Sequence, residues 1–434
     1  MSFLRIYYKL NITLMSPLSI SSGSDANTDK DVILDSEGNP FIPATSLTGI
    51  LRSYVNENYG RAITNTIFGF TASTKEESLK AEAKDPEYTE RKSLVSVYDG
   101  LMTSGKEKLF ITNRDMVALE NKVGKKGAKF DMEAVEPGTE FTAYIELKDS
   151  NYEETVEESL SAMKNGIIRP GSKTSRGYGK VSLKVSKKQF SKPDDWLDFD
   201  MTDCNAWSEK DVIQLKDVSL SSINLKLKSK GGISIREYTT EPSTEEEVMP
   251  DYMSMGLHIA KDDKDNSVPV IPGTSWAGAF RDRYKEISGK ENSEKLFGFV
   301  HNKKDDGDDK TLKSSIIFGE SQLSGGEYKT TTRNSIDRFT GGTKNGALYT
   351  EKTYYYGVTE LNISFTRELE ENEKNNLAFC LADLHNGFLA VGGLTSIGRG
   401  LFEIIEINGK ALENEEKKPE NIYNAILKGA FSNE

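Results

Sequence analysis

Two glycine-rich segments carry the side chains best suited to holding an anion. The first is Arg169-Pro170-Gly171-Ser172-Lys173-Thr174-Ser175-Arg176-Gly177-Tyr178-Gly179-Lys180-Val181, and the second is Val391-Gly392-Gly393-Leu394-Thr395-Ser396-Ile397-Gly398-Arg399-Gly400-Leu401-Phe402. Glycine lets main-chain N–H groups come close to a phosphate, and successive N–H groups in a tight turn form an anion-binding concavity. Gly171, Ser175 and Gly177 supply that backbone in the first segment, and Gly393 and Thr395 in the second. Lys173, Arg176, Lys180 and Arg399 add positive charge. Tyr178 has two roles open to it, stacking on a base or filling a core at the entry to a strand. A different chemistry is open to Asp29 and Asp31, which follow the polar loop Ser21–Thr28. One or two carboxylates can hold Mg²⁺ together with phosphate oxygens and water. A solvated loop acid is the commoner fate of such residues, and the residues alone leave both readings open.

The elements that must position these groups occur twice. Phe41-Ile42-Pro43-Ala44-Thr45-Ser46-Leu47-Thr48-Gly49-Ile50-Leu51-Arg52 has a near-copy in Val270-Ile271-Pro272-Gly273-Thr274-Ser275-Trp276-Ala277-Gly278-Ala279-Phe280-Arg281. Pro43 to Pro272 is 229 positions, as is Arg52 to Arg281, and Phe68-Gly69 recurs as Phe297-Gly298 at the same interval. Such self-similarity marks a duplication. Each copy reads as a strand end, a proline turn and a helix, with Thr45 or Ser46 as N-cap in the first. The first helix is expected to carry Ile50, Leu51 and Tyr54 and to end near Asn58. Arg52 and Arg281 lie about two turns in, close enough to serve an anion at the helix start or to form a surface ion pair.

The remaining blocks keep the same order. Strands are expected at residues 6–20, with Leu10, Ile12 and Leu14 on one face, and at 93–99, matched by 314–320. Arg114 begins a block that recurs at Arg333, 219 positions on, as Gly127 recurs at Gly346. The lysine run 122–129, including Lys129, flanks the first of these blocks and suits either a projecting hairpin or a solvated surface. Long strands follow at 139–147 and 360–365, then a helix and a glycine-rich turn in each half. Residues 74–92 read as an insertion or surface helix, and 419–431 as a short amphipathic helix. Each half is therefore expected to be an α+β unit of the ferredoxin-like kind with long insertions. The boundaries are a first unit at 1–190, a linker at 191–216 and a second unit at 217–434.

Composition narrows the classes. A chain of 434 residues favours two domains. Cys204 and Cys380 are too few for a disulfide framework or a four-ligand zinc site, which suits a cytoplasmic protein. No apolar run is long enough for a transmembrane helix, and no membrane partner is expected. Taken alone, the net charge of −12 argues against nucleic-acid binding, but binding follows the local field and much of the acid lies in runs such as Asp305–Asp309. His258, His301 and His385 have no metal or triad spacing, and neither a phosphate-loop motif nor a nucleophile elbow occurs.

The paired Ile-Pro-small-Thr-Ser-x-x-Gly-x-x-Arg blocks, the Phe-Gly dipeptides, the Arg114 and Arg333 blocks and the terminal glycine-rich loops together resemble the RAMP superfamily of CRISPR–Cas proteins. More narrowly, they resemble backbone subunits of type III effector complexes, with two units fused in one chain. The resemblance implies a modified RNA-recognition-type fold lying along a CRISPR guide RNA, with target RNA and other effector subunits as partners. It implies a thumb-like hairpin in each unit that inserts into the guide–target duplex. It also implies an aspartate that cuts target RNA with a divalent metal, Mg²⁺ or Mn²⁺. That aspartate falls on Asp29, which would also be the metal ligand, with Asp31 as second choice. The family often has histidine where Ser19 stands, so no role is carried over there. The second unit has no aspartate in the matching place, Asp251 being the nearest upstream, and is expected to hold RNA without cutting. The RNA-binding set is Arg52, Arg114, Lys129, Gly171, Lys173, Ser175, Arg176, Gly177, Tyr178, Lys180, Arg281, Arg333, Gly393, Thr395 and Arg399. Two alternatives are a non-catalytic scaffold and a CRISPR-precursor-processing endoribonuclease; the latter group lacks the doubled Ile-Pro blocks.

Overall fold

The computed structural model describes residues 4–21, 31–72, 79, 90–105, 109, 111–120, 123–217, 220–238, 250–257, 268–300 and 311–431. They divide into two compact units, one drawn from 1–174 and 179–219, the other from 175–178, 220–258 and 263–434. The first unit contains, in order, β1 (Arg5–Leu14), β2 (Phe41–Ile42), α1 (Ala44–Phe68), β3 (Val95–Val97), β4 (Gly100–Met102), β5 (Ile111–Glu120), β6 (Val123–Val135), β7 (Glu140–Leu147), α2 (Glu153–Lys164), β8 (Val181–Phe190) and β9 (Val212–Ile213). β1 is central, antiparallel to both β7 and β8, and the sheet runs β2-β4-β7-β1-β8-β9 with β3 also on β7. With α1 and α2 in the crossovers, this is the β-α-β-β-α-β plan of a ferredoxin-like unit. Ile6, Tyr8, Leu10, Ile12 and Leu14 are all buried, as the two-residue period of a strand requires.

The second unit repeats the plan. It contains β10 (Ser221–Ser229), β11 (Val268–Ile271), α3 (Gly273–Ser288), α4 (Lys290–Phe297), β12 (Ile316–Phe318), β13 (Ser321–Ser324), β14 (Glu327–Ile336), β15 (Thr343–Tyr355), β16 (Val358–Phe365), α5 (Glu371–Asn386), β17 (Phe402–Ile407) and α6 (Ile422–Ile426). Its sheet runs β11-β13-β16-β10-β17, with β12 also on β16. The fold class is α+β with two tandem ferredoxin-like units. Both cores grow from the same helix face. Leu47, Leu51 and Val55, spaced by four on α1, are buried, and 229 positions on they become Trp276, Phe280 and Tyr284 on α3, also buried. Trp276 packs on Phe402 at 5.2 Å and Phe280 on Phe318 at 5.0 Å between ring centroids. In the C-terminal element, Ile422 and Ile426 point into this core. No helix among the described residues is long and apolar enough to cross a membrane.

Helix boundaries differ from expectation. Pro43 takes the N-cap position at φ −56° and ψ 139°, and Thr45 and Ser46 fall inside the first turn. The orphan N–H of Ala44 is taken by the Asp99 carboxylate at 2.6 Å, so the cap comes from the β3–β4 connection. α1 does not end at Asn58; it breaks at Gly60 (φ 80°, ψ 170°) and resumes to Phe68. Gly289 (φ 85°, ψ 168°) does the same between α3 and α4. These are conformations that side chains other than hydrogen rarely adopt.

The segment expected as a linker, 191–216, folds onto the first unit. Trp196 donates its indole N–H to the Tyr7 hydroxyl at 2.8 Å. Phe199 lies 5.0 Å from Tyr7 and 4.7 Å from Phe190, and Trp207 lies 6.3 Å from Tyr144. β9 then extends the sheet beside β8. These contacts place the segment as an aromatic strap over β1, β7 and β8. Replacing Phe199 by alanine is expected to lower stability by about 1–2 kcal/mol in denaturant titration, a half-buried aromatic losing part of its burial and its ring pairs. The exposed Leu197→Ala should stay within about 0.5 kcal/mol.

His385 supplies a pH dependence. Its Nδ1 accepts the Ile404 N–H at 3.1 Å and its Nε2 sits 3.0 Å from the Lys417 carbonyl oxygen, which fits a neutral ring protonated at Nε2. Burial holds its pKa below the ordinary value of 6.5. A neutral folded ring competes with a protonated unfolded one, so its contribution is complete above pH 6.5 and is lost as pH falls toward the depressed folded value. Denaturant midpoints from pH 7.5 to 5 should fall less steeply in His385→Gln than in the parent.

Candidate nucleic-acid interface

The first glycine-rich turn clasps the chain that leaves β1. Gly171 (φ +85°) sits so close that a Cβ there would lie 2.7 Å from the Ser19 carbonyl oxygen. The Ser172 N–H donates to that same oxygen at 2.9 Å, and the Gly179 N–H to the Pro17 oxygen at 2.8 Å. The Lys180 N–H donates to Ser16 Oγ at 2.8 Å. The second turn is built alike: Gly393 N–H donates to the Ser234 oxygen at 2.7 Å and Gly400 N–H to the Gly232 oxygen at 2.9 Å. Here the glycines permit close approach of the chain to itself, and these N–H groups are committed internally. Lys173 (φ 55°) and its counterpart Leu394 (φ 56°) both occupy the left-handed region, which a side chain enters at a cost. Ser175 and Thr395 lie in short 3₁₀ turns; Arg176 and Lys180 are exposed, whereas Gly177 and Tyr178 are buried. Burial draws the Arg169 guanidinium down to about 10 while its Nε–H donates to the Gly166 oxygen.

A long two-stranded hairpin follows the sheet strands in each unit. β5 and β6 pair with Arg114 opposite Met132 and Lys129 opposite Val117. β14 and β15 pair with Arg333 opposite Tyr349. Arg114 is 3 % exposed and makes a bidentate pair with Glu136, itself 1 % exposed, at 2.7 and 2.9 Å. In the second unit Arg333 and Arg399 converge on one carboxylate oxygen of the fully buried Glu351, at 3.1 and 2.9 Å. Arg399 also hydrogen-bonds to the Tyr355 hydroxyl and stacks over that ring at 4.7 Å. Arg52 donates to the Gly69 oxygen at 2.9 Å and to Asn65, and Arg281 to the Gly298 oxygen at 3.0 Å. Each of these two therefore ties α1 or α3 to the glycine after its helical continuation.

Asp29 lies outside the described residues, as do His258 and His301. Asp31 is described and half-buried, and the next residue fixes its place: the Val32 N–H donates to Glu133 Oε2 of β6 at 2.9 Å. The chain at Asp31–Val32 thus passes the base of the first hairpin. Asp35 is spent on its own turn, accepting from the N–H groups of Glu37 and Asn39. In the second unit Asp251 lies along β15, its N–H donating to the Thr350 oxygen at 2.9 Å and its Oδ2 accepting the Thr350 N–H at 2.6 Å. Among the described residues no three His, Cys, Asp or Glu side chains group to hold a metal ion.

Sequence reasoning missed several members of this surface. Glu136 and Glu351 gave no signal because acids are common in strands. The tip of the second hairpin exposes Phe339 completely and Ile336 largely, with Asp337 accepting the N–H groups of Phe339 and Thr340 to close the turn. A fully exposed phenylalanine beside Arg338 and Lys344 is suited to stacking on bases; an apolar residue between charged ones in a turn was the available sign.

The RAMP superfamily model matches residues 11–182 and 255–403, and so covers both units. No curated protein matches. Among solved structures, a chain of the type III-B Cmr-beta bound to cognate target RNA, determined by cryo-EM, is similar at 18 % identity and a TM-score of 0.33, covering 43 % of this chain. The match spans 61 % of that chain's own length.

The buried pair at the first hairpin gives a stability test. Glu136→Gln removes the carboxylate paired with the buried Arg114 guanidinium and should cost about 3–5 kcal/mol. The double variant Arg114→Met/Glu136→Leu should recover most of that loss, as read by denaturant midpoints.

Proposed function

We propose, from the premise that this chain belongs to the RAMP superfamily, that it is a guide-RNA-binding backbone subunit of a type III CRISPR effector complex. The observation that carries this reading is the doubled frame: the family match runs through both units, and each unit projects a long hairpin from the same point in its element order. Guide RNA, target RNA and neighbouring effector subunits are the partners this arrangement serves. The exposed tip at Phe339 fits insertion among bases.

The finer proposal is that target RNA is cut at the first unit through Asp29, with Asp31 as its neighbour. Its support is the placement of Asp31–Val32 against Glu133 at the base of the hairpin. Cleavage by the 2′-hydroxyl requires that oxygen in line with the scissile phosphate, whose bond to the 5′-oxygen breaks as the new phosphate ester forms. Residues at the hairpin base would hold the target strand in that alignment. Mg²⁺ or Mn²⁺ takes one or two carboxylates and completes its shell with phosphate oxygens and water. Asp29 would hold the ion, and bound there it would neutralise charge developing on the phosphate. The second unit is proposed to hold RNA without cutting, because the Asp251 carboxylate is already engaged by the Thr350 N–H.

Asp29→Ala in a reconstituted complex should abolish target cutting and leave guide binding within about twofold, measured by denaturing gel and filter binding. Undiminished cutting refutes the assignment and leaves the non-catalytic scaffold. Cutting of repeat RNA by the isolated chain would instead indicate precursor processing.

A further inference from the structure

The face of the first unit's sheet that carries no helix is built as a stacking surface. Ile6, Tyr8, Leu10 and Ile12 of β1 point into the core shared with α1 and α2. The two-residue period of a strand therefore turns Tyr7, Lys9 and Asn11 to the opposite face. The ladders set their neighbours there: Tyr7 lies between Glu146 and Lys188, Lys9 between Tyr144 and Ser186, and Asn11 between Thr142 and Lys184. β1 and β7 are the two middle strands of the sheet, and each brings a tyrosine to this face. Aromatic rings on the middle strands of such a sheet, flanked by lysines, form a platform on which unpaired bases stack.

Residues 191–211 lie over this face and carry the chemistry of such a ligand. Phe199 sits 5.0 Å from the Tyr7 ring and Trp207 6.3 Å from the Tyr144 ring, in the place of stacked bases. Glu209 meets Lys184 with both carboxylate oxygens at 3.0 Å, and Asp211 approaches Lys188 to 3.7 Å, in the place of phosphates. The segment holds seven acids against two lysines. Among the described residues it joins no strand ladder before β9. Trp196, Phe199 and Trp207 are half-buried, and most of the residues between them are exposed. A segment held in this way opens at a lower free energy than the core strands beneath it.

The second unit shows that the fold requires neither feature. On its helix-free face β10 presents Asn224 and Lys226, and β16 presents Glu360 and Asn362 opposite them. Asn362 donates to Asn224 Oδ1 at 2.7 Å, and Lys226 pairs with Glu406 at 2.8 Å. The chain that leaves β17 turns to the helix side, where Ile422 and Ile426 enter the core and Tyr423 stacks on Phe379 of α5 at 4.3 Å. Among the described residues, the tyrosine-bearing face and the strap over it occur together in the first unit.

We propose that the helix-free face of the first unit's sheet is a site for unpaired RNA, and that the strap 191–211 is its built-in competitor. The inference rests on the RNA-binding reading above and concerns residues to which that reading gives no role. The strap's rings stand in for bases and its carboxylates for phosphates, so strap and RNA exclude each other on Tyr7, Tyr144, Lys184 and Lys188. A single strand that displaces the strap stacks two or three bases on the tyrosines and sets its phosphates against the lysines. A duplex keeps its bases stacked on one another and offers no free ring face, so it does not compete.

The test is fluorescence anisotropy of a 5′-fluorescein octauridylate with the purified full chain over a salt series, beside a guide RNA carrying its repeat sequence. Phe199→Ser/Trp207→Ser, which strips the strap of its rings, should bind the octamer at least tenfold more tightly than the parent. The slope of log K against log salt should steepen by about 1.4, two single-strand phosphate contacts at about 0.7 each. Adding Tyr144→Leu to that variant should remove most of the gain, and Leu197→Ala alone should change nothing. Circular dichroism and a cooperative thermal transition establish that the variants fold. If the double serine variant does not, Glu209→Gln/Asp211→Asn, which takes the carboxylates from the lysines and keeps the rings, should still tighten binding at least threefold. Guide binding by the parent with no octamer gain in a folded strap variant overturns the inference and leaves the functional reading standing. A gain that survives Tyr144→Leu, or that polyglutamate competes away as well as RNA does, also overturns it. Failure of the parent to bind guide RNA, with no octamer gain in the variants, overturns both.

Discussion

The buried carboxylates Glu136 and Glu351 are the fixed points from which the two long hairpins are set. A hairpin ten and thirteen residues long per strand gains little from its own ladder and must be anchored at its root. In the first unit the anchor is a bidentate guanidinium–carboxylate pair with almost no exposure. In the second, one fully buried carboxylate gathers the hairpin arginine and the glycine-turn arginine, so two elements far apart in sequence share one counter-charge. Such pairs contribute little net stability, because desolvation offsets most of the attraction. Their consequence is geometric: an arrangement that strands either charge is costly, so the root of the hairpin keeps one orientation.

The same logic governs the glycine turns. Their positive-φ residues let the chain lie against its own backbone after β1 and β10, and the N–H groups that could have faced a phosphate are spent on carbonyl oxygens instead. The turns thereby tie the chain leaving β1 and β10 to the strands that follow each turn, β8 and β17. The left-handed Lys173 is the exception of interest, because the strain recurs at Leu394 while the charge does not. Backbone form is common to the two units and side-chain chemistry is what separates them.

That division explains what could be read from the sequence. Positions where the backbone or packing tolerates few residues recur at a constant interval: Pro43 and Pro272, Gly69 and Gly298, Arg52 and Arg281. They made the duplication and the ferredoxin-like plan legible. The partners of the arginines were not legible, because Glu136 follows Arg114 by 22 positions and Glu351 follows Arg333 by 18. A carboxylate that reaches its partner across a ladder can sit at several registers, so it leaves no periodic trace. The strap was hidden for a related reason: the Pro-Asp content of 193–203 has the composition of a linker, and only the sparse Trp196, Phe199 and Trp207 contradict it. Helix ends were misjudged where a cap came from a distant residue, Asp99, rather than from the adjacent Thr45 or Ser46.

An acidic chain can serve an anionic ligand only by placing its cations with care, and this chain places its arginines in two ways. Arg114, Arg333 and Arg399 are placed against internal carboxylates, which removes them as mobile charges and leaves them as structure. Arg52 is instead positioned by the Gly69 carbonyl and Asn65 side-chain oxygens, which orient a guanidinium without cancelling it. A cation oriented by neutral acceptors keeps its field, and in a concavity that field is focused rather than screened. The net charge of −12 is an average over the chain and does not set the local field; in the second unit Glu294 answers Lys290. Duplication gave two copies of one frame, and the distribution of counter-charges decides what each copy can hold.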